Sequence, residues 1–379
     1  MTKQKSADID PSEKYVFLDT EVFIQQNFQY ERGLLAAFSQ HVQSNRVQLI
    51  ITEVTVDEII DNISNFVDDG FSALQSLRTK GRILRNSKSP NIAHFFKDHK
   101  RNKILNDLKK QFRTFLSSTN AVIIPVDTIK PSVVFKRYFS SLPPFHNPKK
   151  KAEFPDAFSL EILYKYCEEN NIKLNVVSND PDWKEACKVY NFDHFEMIDG
   201  FLQSLQKETD LFQSARELLE YILPKSYTYG SKIQDEGKND QLRNLESKIY
   251  EEFQTLGFFV ADRDAIVTNI EVENINYYEH NVVNVTPDTI DFSLELGINY
   301  TAYLEYLSNR GIPGHISEMY ARRSPFSDLG HPQSVYEWAR IRIVATINWD
   351  PIKKTAGELL NFNIVNPTDF HVYVENYES

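Results

Sequence analysis

The sequence predicts a doubly wound α/β sheet that is followed by a small antiparallel β-rich domain. Over the first 200 residues, short apolar runs alternate with helical periodicity, which is typical of parallel strands joined by crossover helices. Beyond residue 263, apolar residues instead recur at every second position, which indicates half-buried antiparallel strands. A chain of 379 residues is long enough for both domains.

Five apolar runs are predicted to be the parallel strands. They cover residues 15–18, 47–51, 121–126, 174–177 and 195–198. Right-handed crossovers would gather the carboxyl ends of these strands along one edge of the sheet, which is where ligands bind in such folds. We assign residues 1–205 to this domain and predict a basic helical insertion within it at about 71–118.

The remainder of the chain is predicted to be a helical linker and then the β-rich domain. Residues 206–262 show helical periodicity without a strand signal, so they form the linker of this prediction. Within 263–379 we predict strands at 270–278, 290–300, 340–349 and 370–377. The alternation is clearest in the second of these, where Ile290, Phe292 and Leu294 share one face with Leu296, Ile298 and Tyr300.

Composition indicates a folded protein without a membrane segment. Hydrophobic residues make up 41% of the chain and aromatic residues 13%, more than a disordered chain carries. The polar N-terminus has no apolar signal region and no run reaches the length of a membrane span, so we expect a cytoplasmic protein with no membrane partner. The two cysteines, Cys167 and Cys187, lack zinc-site spacing and are interpreted as reduced core residues.

A strongly basic segment interrupts an otherwise acidic chain. The net charge is −11, yet residues 78–113 contain twelve Lys and Arg against two acids. Such a segment is typical of a surface that follows a phosphate backbone, although charge runs are more often solvated helices. The residues that we expect to contact nucleic acid are Lys100, Arg101, Lys103, Lys109 and Lys110 in the segment, together with Lys150 and Lys151 beyond it.

Four acids lie at the ends of predicted strands or the starts of helices. Asp19 follows the first strand and Asp180 the fourth, while Glu58 lies a helical turn after the second and Asp156 opens a helix. Each alone reads as a helix cap, a first-turn acid or an exposed residue. Together they would bring several carboxylates to one edge, where their repulsion is usually relieved by a divalent metal.

Four stretches carry a family resemblance: LDTEVF, TEVTVDEI, KKKAEFPDAFSLEIL and VVSNDPDW. Together they resemble a PIN domain, in particular a bacterial PIN-like group with KKxEFPDA and VVSNDxDW motifs, over residues 14–200. The resemblance implies a PIN-like fold and a ribonuclease that uses Mg²⁺ or Mn²⁺ to cut single-stranded RNA. It assigns catalysis to Asp19, Glu58, Asp156 and Asp180, and metal binding to Asp19, Asp156, Asp180 and Asp182.

The same motifs suggest how the acids are oriented. Thr20, Ser178 and Asn179 adjoin the acids and could fix them by hydrogen bonds, while Pro181 would begin the next helix. Glu53 and Asp57 flank Glu58, so the sequence does not single out the second acid of the site, and either neighbour could take the place of Glu58. Hydrolysis by such a site would leave a 5′-phosphate and a 3′-hydroxyl.

Other functions are weighed against this one. A haloacid-dehalogenase-type phosphatase would need DxD after the first strand, and Glu21 stands at the second Asp position. The motifs GxxxxGK[ST] and GxGxxG are absent, which argues against P-loop and dinucleotide chemistry. A non-catalytic PIN-fold module for RNA binding or assembly remains the alternative. We expect a role as a toxin or phage-defence effector, with the β-rich domain forming a homo-oligomer or binding a regulatory partner.

Overall fold

The computed structural model divides the chain into two compact units, Met1–Leu205 and Gln206–Ser379. Each unit is described separately. The described residues are 14–97, 99–145, 153–206, 209–223, 236–260, 265–306, 334–365 and 370–372.

The N-terminal unit is built on a five-stranded parallel sheet. Its strands are β1 (Lys14–Leu18), β2 (Val47–Thr52), β3 (Val122–Ile124), β4 (Leu174–Val177) and β5 (Asp193–Phe195). They lie in the order β3-β2-β1-β4-β5, so the winding direction reverses between β1 and β4. The predicted doubly wound sheet is therefore confirmed, and its switch point lies beside the end of β1.

Among the described residues of this unit, nine α-helices connect or follow these strands. They are α1 (Thr20–Gln25), α2 (Gly33–Gln43), α3 (Glu53–Lys80), α4 (Pro90–Phe95), α5 (Arg101–Ser118), α6 (Pro131–Phe139), α7 (Phe154–Asn170), α8 (Pro181–Tyr190) and α9 (Ile198–Ser204). The predicted basic insertion is helical and comprises the end of α3, α4 and α5. Among the described residues of the chain, no helix combines the length and apolarity needed to cross a membrane.

The central strands are apolar throughout because helices cover both faces of the sheet. Val16, Phe17 and Leu18 of β1 are fully buried. The ring of Phe17 stacks on that of Trp183 from α8, with 4.9 Å between the ring centroids. Burial of a large apolar side chain contributes about 1.5–3 kcal/mol to folding, so this packing fixes α8 against the sheet close to the end of β1.

In the part of the C-terminal unit that the structure describes, two helices accompany a four-stranded antiparallel sheet and a separate pair of strands. The helices are α10 (Asp210–Ile222) and α11 (Glu236–Phe253); the strands are β6 (Phe258–Val260), β7 (Ala265–Val285), β8 (Thr289–Tyr306), β9 (Ser334–Asp350), β10 (Thr355–Ile364) and β11 (Phe370–Val372). The sheet order is β10-β9-β8-β7, which confirms the predicted antiparallel architecture. Strands β6 and β11 form a separate parallel pair.

The helices that we predicted as a linker belong to the core of this unit. Leu219 of α10 and Ile249 and Phe253 of α11 are fully buried in one cluster with the apolar face of β8. An amphipathic helix must bury its apolar side, and here the sheet accepts it. Residues 206–262 are therefore part of the β-rich unit as far as the structure describes them.

Four strands differ most clearly from the prediction. Strand β6 (Phe258–Val260) lies within 206–262, which was predicted to be helical without a strand. Strand β5 lies at Asp193–Phe195 rather than 195–198, because Ile198 instead begins α9 and is buried from the helix. Strand β10 was not predicted, since its register is irregular at two places and no clean alternation results. Of the predicted strand 370–377, only Phe370–Val372 falls within the described residues, and it pairs in parallel with β6.

Both cysteines are buried on helices, Cys167 on α7 and Cys187 on α8. Burial raises the pKa of each thiol to about 12. Because only the thiolate attacks disulfide reagents, we expect neither thiol to react with Ellman's reagent at pH 8 in the folded protein. Both should react once guanidinium unfolds the chain. Rapid labelling of the folded protein would contradict the interpretation of these residues as core.

Candidate metal centre

Asp19 stands at the switch point of the sheet, immediately after β1. It is the N-cap of α1: its Oδ1 accepts a hydrogen bond from the backbone N–H of Thr20 at 2.7 Å. Its Oδ2 accepts from the Ser178 hydroxyl at 2.7 Å. The side chain is buried, so these two donors hold the carboxylate in one orientation.

Ser178 links the ends of the two neighbouring strands. While its hydroxyl donates to Asp19, its Oγ accepts from the backbone N–H of Asp180 at 3.1 Å. Asp180 caps α8, and its Oδ1 accepts from the N–H of Asp182 at 2.7 Å. The hydroxyl of Ser178, which we predicted as an orienting residue, therefore contacts the side chain of Asp19 and the backbone N–H of Asp180. Asn179 is exposed.

Glu58 approaches the same edge from α3. The hydroxyl of Thr20 donates to its Oε2 at 3.3 Å. Glu53, one of the two alternatives for the second acid, is engaged elsewhere, because its Oε2 accepts from the backbone N–H of Val126 at 2.9 Å. Asp57 is exposed on α3. The structure thus brings Glu58, of these three acids, next to Asp19.

Asp156 lies in the first turn of α7, where its Oδ1 accepts from the indole Nε1–H of Trp183 at 3.2 Å. A hydrogen bond to Glu153, the N-cap residue of α7, favours the protonated form of Asp156. Trp183 also stacks on Phe17, so the same indole packs on β1 and anchors this carboxylate.

Three carboxylates have a spacing that suits one metal ion. Oxygens of Glu153, Asp180 and Asp182 all lie within 4.8 Å of one another. Ligand oxygens of Ca²⁺ or Mg²⁺ lie at about 2.0–2.6 Å from the ion, so one ion could contact all three. Of the four metal ligands predicted from the sequence, Asp180 and Asp182 belong to this triad. Asp19 and Asp156 lie beside it.

The acids raise one another's pKa values. Burial, followed by the charges of Glu58 and Asp180, raises the pKa of Asp19 to about 6. Burial and then the contact with Glu153 and the charges of Asp19 and Glu58 raise the pKa of Asp156 well above its ordinary value. Burial, with the charge of Glu153, also raises that of Glu58. Among the described residues, no lysine or arginine contributes to these shifts.

This charge distribution fits a divalent cation. Buried like charges are stable only when a cation compensates them or when they take up protons. All of the donors are hard carboxylate oxygens, which suit Mg²⁺ or Mn²⁺. The carboxylates of Glu153, Asp180 and Asp182 would therefore suit such an ion as ligands.

One acid of this site and a second acid beside it were missed from the sequence. Glu153 lies in the quoted KKKAEFPDA stretch, three residues before Asp156. A spacing of three places both residues on one side of a helix start, and this was the available signal. Glu21 in the first turn of α1 is the second: burial, and then the charge of Asp180, raises its pKa.

Five of the seven predicted nucleic-acid contacts lie on α5 or at its N-cap. Lys100, Lys103 and Lys110 line a shallow depression, while Arg101 forms an ion pair with Asp68 of α3, with 2.7 Å between Nη2 and Oδ2. Asp68 follows Glu58 by ten residues on the same helix, which corresponds to about 15 Å. Lys109 is also on α5. Lys150 and Lys151 lie outside the described residues.

The comparison with known families agrees with this geometry. Residues 16–183 match the model of the PIN domain. The matched region runs from β1 into the first turn of α8, so it contains every acid described above. PIN domains are in general nucleases, and the match supports a hydrolase. No curated protein matches the chain.

Replacing Asp156 by Asn distinguishes a carboxylate that supports metal binding from one that only stabilises the N-terminal unit. The amide oxygen can still accept from Trp183, while the disfavoured charge is removed. A carboxyl whose pKa is raised on folding stabilises the fold at low pH, and this contribution is lost as pH rises through the folded-state pKa. In EDTA at pH 8, D156N should therefore be more stable than the wild type by about 1–3 kcal/mol.

The measurement is chemical denaturation at pH 5 and pH 8, together with a thermal shift on adding Mn²⁺. Mn²⁺ should stabilise the wild type, by about 2.7 kcal/mol at a concentration of 100 Kd, and should stabilise D156N less, because one negative charge beside the ion is lost. Glu169→Gln, at the exposed far end of α7, is the matched control and should behave as the wild type. If D156N is less stable than the wild type at pH 8, Asp156 is a structural residue.

Proposed function

We propose that the N-terminal unit is a Mg²⁺- or Mn²⁺-dependent endoribonuclease that hydrolyses single-stranded RNA. The observation that carries the proposal is the gathering of six acids, Asp19, Glu58, Glu153, Asp156, Asp180 and Asp182, at the switch point of the sheet. A stable fold alone would not favour placing six like charges together in buried and partly buried positions. Their position is where ligands bind in doubly wound folds.

In this proposal Glu153, Asp180 and Asp182 would hold the ion. When bound, a divalent ion polarises the phosphate and lowers the pKa of a water molecule. Ser178 and the Thr20 N–H fix the Asp19 carboxylate, which lies close enough to Glu58 for the charge of Glu58 to raise its pKa. Either could accept the proton of the attacking water. The water oxygen would bond to phosphorus as the P–O3′ bond breaks. O3′ would take a proton from solvent, so the products would be a 5′-phosphate and a 3′-hydroxyl.

A single-stranded substrate is favoured by exposed rings beside the acids. Phe139 of α6 is 79% exposed, and its ring lies nearly parallel to that of Phe135, with 6.5 Å between centroids. Phe135 contacts Phe154, the residue after Glu153, with 5.5 Å between centroids. Unpaired bases stack on such rings, and each stacking contact contributes about 1–3 kcal/mol.

The basic segment supports an RNA substrate that extends beyond the acids. The basic segment contacts α3 at Asp68, about 15 Å along the helix from Glu58. The lysines of α5 would then contact phosphates away from the bond that is cut. This arrangement would let the protein bind RNA without reading its sequence.

Cleavage of a single-stranded RNA oligonucleotide tests the proposal. The purified protein should cut it in Mn²⁺ or Mg²⁺ and stop when EDTA is added. D19N and Glu153→Gln should lower the rate by more than about 100-fold, beyond the 10–100-fold typical of residues around a metal ligand. RNA binding should persist, because neither change touches α5, and Glu169→Gln should cut normally. Undiminished cleavage in EDTA would remove the metal mechanism, and binding without cleavage would leave a recognition module.

The basic segment has its own test. Changing Lys100, Lys103, Lys109 and Lys110 together to Gln should weaken RNA binding and lower the salt dependence of the affinity by up to about 3 units of logarithmic slope. Arg101→Gln alone should change the slope little, because Asp68 already neutralises this guanidinium. The measurement is fluorescence anisotropy of labelled RNA over a salt series. An unchanged slope in the fourfold variant would assign the lysines to solubility.

A further inference from the structure

One face of the antiparallel sheet in the C-terminal unit is rich in exposed aromatic side chains. The opposite face carries the core, with Ile298 and Tyr300 of β8 packed in one cluster with α10 and α11. On the open face, by contrast, the exposed fractions are 52% for Tyr278, 37% for Tyr303, 62% for Tyr336 and 51% for Trp338. We call these four residues the aromatic face. They come from three neighbouring strands, so they form one surface.

Gly297 makes part of the aromatic face flat. A Cβ atom at this position of β8 would lie 2.5 Å from the Tyr278 hydroxyl oxygen and 2.9 Å from Trp338 Nε1. The rings from β7 and β9 therefore approach each other over the bare backbone of β8. Glycine within a strand lowers stability by roughly 0.5–1 kcal/mol relative to alanine, and it often marks a close approach. The sequence thus gives up stability here to form an exposed aromatic platform.

A cation already contacts this platform. The guanidinium carbon of Arg340 lies 5.6 Å from the centre of the Tyr278 ring, and the Arg340 side chain is 61% exposed. Lys and Arg are attracted to the faces of Trp and Tyr rings within about 6 Å. Exposed rings that are not yet covered, such as those of Trp338 and Tyr336, offer the same interaction to a second molecule.

The negative charge around the aromatic face indicates which kind of molecule it would bind. Exposed acids border the aromatic face on β7: Glu273 accepts from the Thr301 hydroxyl at 2.9 Å, Glu271 from that of Tyr303 at 2.8 Å, and Glu279 lies opposite Glu295. Residues 206–379 contain 27 acids and 15 Lys and Arg, a net charge of −12. This field repels a phosphate backbone and attracts a polycation.

We propose that the aromatic face binds a partner polypeptide rich in arginine and lysine. The rings contact the cationic side chains, and Glu271, Glu273 and Glu279 neutralise their charge. This interaction does not depend on nuclease activity, so it stands or fails separately from the function proposed above.

Tryptophan fluorescence of the full chain reports on this face. Of the three tryptophans, Trp183 and Trp349 are only 2% and 7% exposed, so an added ligand acts mainly on Trp338. The protein is titrated with a short arginine- and lysine-rich peptide and, separately, with a single-stranded RNA oligonucleotide. The peptide should change the emission, with an affinity that falls as salt rises.

Variants locate the binding. Tyr278→Ala and Glu273→Gln keep the reporter and should each weaken peptide binding, Tyr278→Ala by about tenfold, or about 1.4 kcal/mol. Tyr278→Phe keeps the ring and should bind nearly as the wild type. Tyr221→Ala removes an exposed aromatic residue from α10 and is the matched control. Because Tyr278→Phe retains the packing, it also distinguishes a lost contact from a lost fold.

Three results would overturn the proposal. Unchanged peptide affinity in Tyr278→Ala would show that the peptide binds elsewhere on the acidic surface. A change of Trp338 emission with the oligonucleotide rather than the peptide would assign the face to nucleic acid. A dimer of the free protein that light scattering detects in the wild type but not in Tyr278→Ala would assign the face to a second copy of this chain.

Discussion

The repulsion among buried carboxylates at the end of β1 is the constraint on which the N-terminal unit depends. The strand order places β1 beside β4, so the residues that follow both strands meet at one edge. Helices α1, α3, α7 and α8 all begin at this edge and direct their first turns towards it. Their N-terminal dipoles favour negative charge, which offsets part of the repulsion. Hydroxyl and indole donors offset more, and a divalent cation would offset the remainder.

Helix capping and metal binding are therefore compatible roles for the same side chains. Asp19 and Asp180 each use one oxygen as an N-cap, and a carboxylate retains further lone pairs after accepting such a bond. The cap fixes the side-chain torsions, so little rotamer entropy would be lost when an ion binds. The sequence-based interpretation of Asp19 and Asp180 as helix caps was thus correct. Capping alone, however, does not exclude a second role for these carboxylates in binding an ion.

The sequence was informative where one periodicity dominated. Apolar patterns correctly predicted strands β1 to β4 of the parallel sheet and the alternating face of β8. The rule that strand ends gather at one edge indicated where Asp19 and Asp180 would lie. Glu153 was missed because an acid before a proline-containing helix start has many ordinary explanations. Strand β10 was missed because register shifts break its alternation, and the burial of α10 against a sheet depends on tertiary contacts that periodicity does not specify.

Helix α3 sets the distance between the acids and the basic segment in the N-terminal unit. It has 28 residues, with Glu58 near one end and Asp68 in contact with the basic segment farther along. Each residue of an α-helix adds about 100° of rotation as well as about 1.5 Å of length. A single inserted or deleted residue between these two acids would turn the basic segment to another side of the molecule. Insertions or deletions in α3 would consequently be tolerated only when they add or remove nearly whole helical turns. The number of residues between Glu58 and Asp68 is therefore more constrained than their identity.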